Sequence, residues 1–431
     1  MSLLTCAAAL LGLTAVGLYR QKRDDIDGFV IVAVVQAAVY LLSVGLVWNQ
    51  RTSWRALAVI LAVAALLRLP ALCAPPHLSS DIYRYVWDGR VEAAGINPYR
   101  YIPVDPHLDR LRDSQIFPRI NRSTYAPTIY PPAAEGIFYV VTRISQSLIA
   151  MKAAMVVFEA ITIAALLRLL NAAGLPSGRI IVYAWHPLPI WEFAGSGHID
   201  AALIALVVLA LWAWRQGRAG LAGFALAGAT LVKFYPAVLL PALFGRREWR
   251  VPIAFVAALI LGYLPFIGAG WGVLGFLPGY VKEEGFTVNG AGFFLWNLLQ
   301  TLPPFSGLST LVYLSGAAII LAALAATIAF TNTPRTDRFA GAALLAGAFM
   351  FLLSPHYPWY FAWLIIFVCF APYISLLWLT NAAFLLYLVQ VGSPLMREGY
   401  RQLVESVIYG PFALLAVFDV WRLRRRATQR I

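Results

Sequence analysis

Four groups of side chains in this chain have the types and spacing to do chemistry. The first is the row Asp81, Tyr85, Asp88 and Glu92, which a helix would carry along one face. Asp81 follows directly on a long apolar block, so its carboxylate stands at a lipid–water boundary. Partial desolvation there makes a carboxylate more basic than in water. Helix capping, or an ion pair with Arg84, is the plainer role for the same residue. The second group is Lys233 alone, deep in an apolar segment. A lysine so placed costs roughly a few kcal/mol unless paired, so a partner is expected, with snorkelling or a structural ion pair as the alternative. The third is His356, set among prolines and aromatics, where a lone histidine can equally be structural. The fourth is Glu192, His198 and Asp200, with His186 near enough in sequence to join them. These types could ligate a metal, but their spacing matches no metal motif, and a polar network bracing a pocket is the favoured reading. Neither metal nor cofactor is expected.

The elements that must position these groups are membrane helices. Hydrophobic residues are 61% of the 431 positions and charged residues 12%, with a mean hydropathy of +0.74. A soluble chain carries about 25% charged residues, because water must solvate its surface. The apolar residues fall in blocks of about 17–22, the length that crosses roughly 30 Å of hydrocarbon as a helix. Short alternating strands of a barrel are missing. Spans are expected near 2–19, 28–48, 56–74, 148–167, 180–195, 199–214, 251–267, 308–330, 339–354, 359–372, 374–391 and 403–421. A further short one is expected at 291–302. The fold class is therefore an all-α polytopic membrane protein with about 11–14 transmembrane helices. The first span lacks a basic leader and an obvious cleavage site, so it reads as a retained helix. Cys6, Cys73 and Cys369 lie in or beside apolar spans and read as packing residues.

The net charge of +13 does not point to nucleic acid, because the basic residues sit in short loops and at the tail, where they set orientation. Arg422, Arg424, Arg425, Arg426 and Arg430 place the C-terminus inside. Arg335 and Arg338, then Arg246, Arg247 and Arg250, then Arg215 and Arg218, then Arg168 and Arg179 should share that side. They agree only if 219–243 enters and leaves on it, as a re-entrant hairpin broken at Tyr235-Pro236. Lys233 is then about 14 residues up the rising arm, roughly 21 Å from the inner edge. The same reasoning puts residues 75–147 outside. The 20–27 loop, with Arg20, Lys22 and Arg23, runs against this pattern.

The external stretch 75–132 carries seven arginines against six acids, a balance that lets a long loop cross and fold in water. Residues 79–101 read as a short amphipathic helix, capped by Ser79 or Ser80 and stopped by Asn97-Pro98. Tyr125 to Pro132 is stiffened by prolines. Its tyrosines, Tyr130 among them, could contact a sugar or a lipid headgroup, with an interfacial anchor as the plainer role. Asn121-Arg-Ser is a formal glycosylation triplet of little weight. The 268–292 stretch reads as an external loop that could order over bound lipid.

Several of these segments are familiar in their order. Asp81-Ile-Tyr-Arg-Tyr85, Trp87-Asp-Gly-Arg90, Gly95-Ile-Asn-Pro-Tyr99 and Tyr130-Pro-Pro132 resemble the first external loop of GT-C fold glycosyltransferases. The likeness is greatest to the polyprenyl-phosphate-dependent mannosyltransferases of glycosyltransferase family 87 and their bacterial relatives. Gly197-His198-Ile-Asp200-Ala201, Leu231-Val-Lys233-Phe-Tyr-Pro236 and Ser354-Pro-His356-Tyr-Pro-Trp-Tyr360 continue it, over about residues 79–360. The resemblance implies a GT-C-like bundle that moves a hexose, mannose by the family's habit, from a polyprenyl-phosphate carrier to an acceptor hydroxyl outside. It implies Asp81 as general base in an inverting displacement, with Lys233 and His356 holding the donor phosphate. Asp88, Tyr85, Tyr130, Glu192, His198 and Asp200 become residues of the pocket or of its support. The partners implied are the lipid-linked sugar donor, a lipid or glycan acceptor and membrane lipids, with no nucleic acid. The location implied is the bacterial inner membrane, with the site extracytoplasmic.

Residues 1–55 lie outside the resemblance and read as a two-helix addition to a catalytic domain at 56–421, followed by a basic tail at 422–431. Two other functions share some of these features. A transporter or lipid flippase would have as many spans and a broken hairpin, but usually repeated halves and a mid-membrane site. No repeat is visible, and the polar residues gather at the outer face. A polymerase or ligase of lipid-linked glycans would share the outer site but lack the loop that Asp81 leads.

Overall fold

Most of the longest apolar blocks fold into continuous helices here. The computed structural model describes residues 2–245, 248–284, 292–331, 338–390 and 400–428. Arg246, Arg247, Arg335 and Arg430 of the orientation argument lie outside these residues. Among the described residues the chain is all helical, without a strand. It opens with α1 (Leu3–Lys22), α2 (Ile26–Val47) and α3 (Trp54–Cys73). The polar segment 75–132 and the residues after it supply α4 (Asp81–Ala93) and α5 (Pro132–Ile144). There follow α6 (Leu148–Ala172), α7 (Asp200–Arg215), α8 (Ala219–Thr230), α9 (Arg250–Tyr263) and the short α10 (Leu277–Glu283). The last are α11 (Thr310–Thr331), α12 (Arg338–Leu353), α13 (Ile374–Ala382) and α14 (Tyr400–Thr428).

Seven helices among the described residues are long and apolar enough to cross a membrane. They are α1, α2, α3, α6, α9 with its continuation to Leu274, α11, and α14 as far as Arg422. The expected spans 199–214 and 339–354 are continuous helices of 16 residues each, and four others are broken. Residues 180–195 run from a helical turn Ile181–Ala184 through Pro187 and Pro189 into a π-helical turn, Ile190–Gly195. The stretch 359–372 is 3₁₀ over Pro358–Leu364 before a single α turn. In 374–391, α13 gives way to 3₁₀ at Ala383–Leu386. Of 291–302 the described part yields a helix only at Phe294–Gln300. Pro187 and Pro189 account for the first break. Because residues 180–194 and 361–369 are almost wholly buried in protein, their irregular backbone never meets lipid.

Helices α1 and α2 share one hydrophobic core with the rest: Leu10, Phe29 and Tyr40 are packed in the same cluster as Trp185 and Trp191. Polar ties reinforce this. Tyr40 donates to Val182 O at 2.8 Å, and Trp191 Nε1 to Gln36 at 2.8 Å. Deeper in the bundle Arg68 on α3 forks onto Glu159 of α6, at 2.6 Å for the shortest contact. Both charges are buried, so each is tolerated only because the other is there.

Two details position the site. Helix α4 lies so close on α5 that a Cβ at Gly89 would fall 2.3 Å from Phe138 O, so only glycine fits. The arm α8 is 12 residues long, about 18 Å of rise, and packs between α7 and α9. The chain then turns, and Leu231 O accepts from the backbone N–H groups of Ala133 and Ala134 at 2.9 and 3.2 Å. It comes back as a 3₁₀ turn, Tyr235–Leu239, and a short helix, Leu240–Leu243. The expected hairpin is formed, and its tip is hydrogen-bonded to the start of α5.

Candidate active site

The first helix of the polar segment 75–132 starts at Asp81 itself. Ser79 Oγ accepts from the Asp81 N–H at 3.2 Å, which leaves the Asp81 side chain free to face a cavity of about 1090 Å³. Arg84 pairs instead with Asp88, two bonds at 2.8 and 2.9 Å, and also reaches Ala126 O, so Asp88 fastens the loop to its helix. Tyr85 packs flat on Phe138 with ring centroids 4.5 Å apart. Tyr130 stands edge-on to both rings and lines the cavity. The helical row read from the sequence exists, yet only Asp81 of it opens into the cavity.

Lys233 enters the same cavity from the hairpin tip. The partner a deep lysine requires is Asp200, at 2.7 Å, which also accepts from the Tyr235 hydroxyl at 2.9 Å. The Lys233 ammonium lies 4.5 Å above the Tyr360 ring. His356 enters from the segment after α12. Its Nδ1 is 3.3 Å from Glu284 and its Nε2 3.0 Å from Gly292 O. Asp81, Lys233, His356 and Tyr130, spread over 276 positions of sequence, thus converge on one space. One part of its wall is apolar, with Phe234, Val238, Phe349, Met350 and Leu353, and another is polar, with Arg119, Asn121, Arg122 and Glu284.

Behind this wall lie Glu192 and His198, both fully buried. His198 Nδ1 is 3.8 Å from Asp81 Oδ2, and its Nε2 is 3.5 Å from Glu192 Oε2. Glu192 also accepts from the Tyr387 hydroxyl at 2.7 Å. His186 does not join them. It bonds Thr380 and the Leu188 N–H and packs on Tyr40, because the Pro187–Pro189 turn directs it toward α2 and α13.

Several residues with a part in this geometry carry no clear signal in the sequence. Asn121 Nδ2 donates to Asp81 Oδ1 at 2.6 Å, so the unremarkable Asn-Arg-Ser triplet holds the carboxylate. Arg122, at φ 54°, lines the cavity and pairs with Glu283 at 2.7 Å. Glu283 also accepts from Tyr125, and Tyr280 bonds Tyr360 at 2.7 Å, so α10 straps the polar segment 75–132 to the segment of His356. Residues 285–291 of the expected 268–292 loop lie outside the described part. Burial raises the Asp81 pKa above the ordinary carboxylate range, against the pull of Lys233, Arg122 and the Asn121 hydrogen bond. What results is a carboxylate made more basic, facing a pocket with cations on its rim and an apolar wall.

Residues 7–245 of the chain match a family described as alpha-(1->6)-mannopyranosyltransferase, N-terminal domain. No curated protein and no solved structure matches.

Proposed function

The chain belongs to the alpha-(1->6)-mannopyranosyltransferase family, and from that premise we propose that it takes mannose from a polyprenyl-phosphate carrier and joins it to the 6-hydroxyl of a mannoside on the outer face of a bacterial inner membrane. It is a multi-pass membrane mannosyltransferase, and the transporter reading gives way to that. The observation that carries the finer reading is the meeting of Asp81, Lys233 and His356 on one partly apolar cavity.

Asp81 takes the proton from the acceptor hydroxyl as that oxygen attacks the anomeric carbon. The bond from that carbon to the phosphate oxygen breaks, and the electron pair leaves with the carrier phosphate. The donor is a phosphate diester, and what departs is the polyprenyl phosphate monoester, a stable anion, so no general acid is needed. It does require positive charge where its own charge grows, which Lys233 and Arg122 supply, with His356 as a further hydrogen-bonding side chain at the phosphate. The carrier's hydrocarbon lies along Phe234, Val238 and Phe349. One displacement inverts the centre, so a β-linked donor gives the α linkage of the family's description.

Two measurements test this. Purified protein in detergent transfers labelled mannose from polyprenyl-phosphate mannose and not from a nucleotide-linked mannose; transfer from the soluble donor alone ends the lipid-carrier reading. The second reads the base through pH. The working form of Asp81 is the carboxylate, so activity falls as pH drops through its raised pKa. The Asn121 bond favours the carboxylate, so Asn121→Ala raises that pKa further and moves the acid limb of kcat/KM to higher pH. An unmoved limb removes Asp81 as the titrating group.

A further inference from the structure

Resting on Asp81 as the base, we propose that His198 and Glu192 form a proton relay behind it, taking the acceptor's proton from Asp81 and holding it as an imidazolium–carboxylate pair. The geometry is a line of three. Asp81 Oδ2 is 3.8 Å from His198 Nδ1, and His198 Nε2 is 3.5 Å from Glu192 Oε2. His198 and Glu192 have no exposed surface. Buried polar atoms almost always find hydrogen-bond partners. Among the described residues both ring nitrogens of His198 and Glu192 Oε2 have none, and these three atoms lie in the line itself. With Asp81 Oδ2 they stand 3.8 and 3.5 Å apart along that line, separations that a small movement closes into hydrogen bonds.

The surroundings hold the ring in place rather than satisfy it. Trp359 stacks on the imidazole with centroids 3.9 Å apart. The preceding Gly197 sits at φ +80°, where a Cβ would be 2.6 Å from Ile82 Cδ1, so the backbone is set for glycine. Glu192 lies in the π-helical turn Ile190–Gly195, a local irregularity frequent at functional sites. Its other oxygen accepts from Tyr387 at 2.7 Å, which fixes the carboxylate and ends the line. The charged and titratable groups around it are Lys233, Asp200, Arg122 and Tyr387, with Asn121 on Asp81.

The protons balance. The acceptor O–H breaks and its proton goes to Asp81 as the new C–O bond forms. Asp81 passes the proton to the free lone pair on His198 Nδ1. The Nε2–H faces Glu192, which steadies the positive ring as the carboxylate does in a serine-protease triad. The proton returns through Asp81 to water once the product has left the open cavity. His198 and Glu192 act through Asp81 and touch no substrate, so they are positioning residues.

The test compares three variants in detergent with polyprenyl-phosphate mannose. Glu192→Gln keeps the shape and the Tyr387 bond, and its kcat is expected to fall about 10- to 100-fold, below the usual span of a direct acid or base, with the donor KM unchanged. His198→Ala falls at least as far, and imidazole in the buffer restores part of its kcat by filling the emptied space beside Asp81. A wild-type kcat in Glu192→Gln, a loss confined to KM, or a folded His198→Ala that imidazole does not help overturns the relay. If His198→Ala fails to fold, Glu192→Gln decides alone. Asp81→Asn separates the two claims: if it stays active, the base assignment fails and the relay with it, whereas an inactive Asp81→Asn with unaffected relay variants sinks only the relay.

Discussion

Asp81→Asn is expected to lower kcat for mannosyl transfer on the order of 10²–10⁴-fold, the range a positioned general base contributes. The substitution keeps the size of the side chain, and its amide oxygen can still accept the Asn121 hydrogen bond seen at 2.6 Å. The Ser79 bond to the backbone N–H, which starts α4, is untouched. The helix and cavity should therefore survive, and what disappears is the ability to take a proton. One secondary effect runs with the loss, since removing a negative charge beside Lys233 and Arg122 leaves the pocket more positive. That change tightens an anionic donor if it does anything, so donor KM stays level or falls while kcat drops. The assay is transfer of labelled mannose in membranes that contain equal amounts of each protein. A fall under tenfold at equal amounts would mean that some other group removes the proton.

Lys233→Met strikes twice, and the two effects can be separated. The first is structural. Asp200 is buried and its carboxylate keeps only the Tyr235 hydroxyl once the ammonium is gone. Breaking a buried ion pair by removing one partner costs about 3–5 kcal/mol. The Lys233 side chain retains 12% exposure, which puts the expected cost at the lower end, about 3 kcal/mol. The second effect is on the reaction. Taking away one fixed donor of positive charge from a developing anion costs about 10²–10³ in kcat. Lys233→Met with Asp200→Asn removes the orphaned charge, so the pair of substitutions should melt near wild type yet remain inactive. Recovery of transfer in the double variant would show that Lys233 serves the fold and not the donor phosphate.

Much of this site is legible in the sequence, for a physical reason particular to each part. Asp81 stands out because a carboxylate adjoining a long apolar block must sit near the lipid–water boundary. Lys233 stands out because hydrocarbon tolerates a lysine only with a partner, though only the fold identifies that partner as Asp200, at 2.7 Å. The hairpin follows from counting basic loops and from one proline. Other parts have no such signal. Asn121 and Arg122 sit in a surface triplet that could face water anywhere on the loop. His186 looks like a member of the polar cluster by its number alone, and two prolines turn it toward Thr380. The broken spans at 180–195 and 359–372 look whole in the sequence, because hydropathy registers burial in protein and burial in lipid alike.

By itself the sequence determined the class of molecule, the polar segment 75–132 and the small set of polar side chains worth watching. These depend on quantities that accumulate along the chain: the length of an apolar block, the charge of a loop, the place of a proline. The tertiary structure alone decided which of those side chains share a space. Asp81 meets Asn121 across 40 positions, Lys233 meets Asp200 across 33, and Tyr387 meets Glu192 across 195. No local periodicity encodes such meetings, because they arise where helices cross, and the crossings are set by how whole faces of side chains pack.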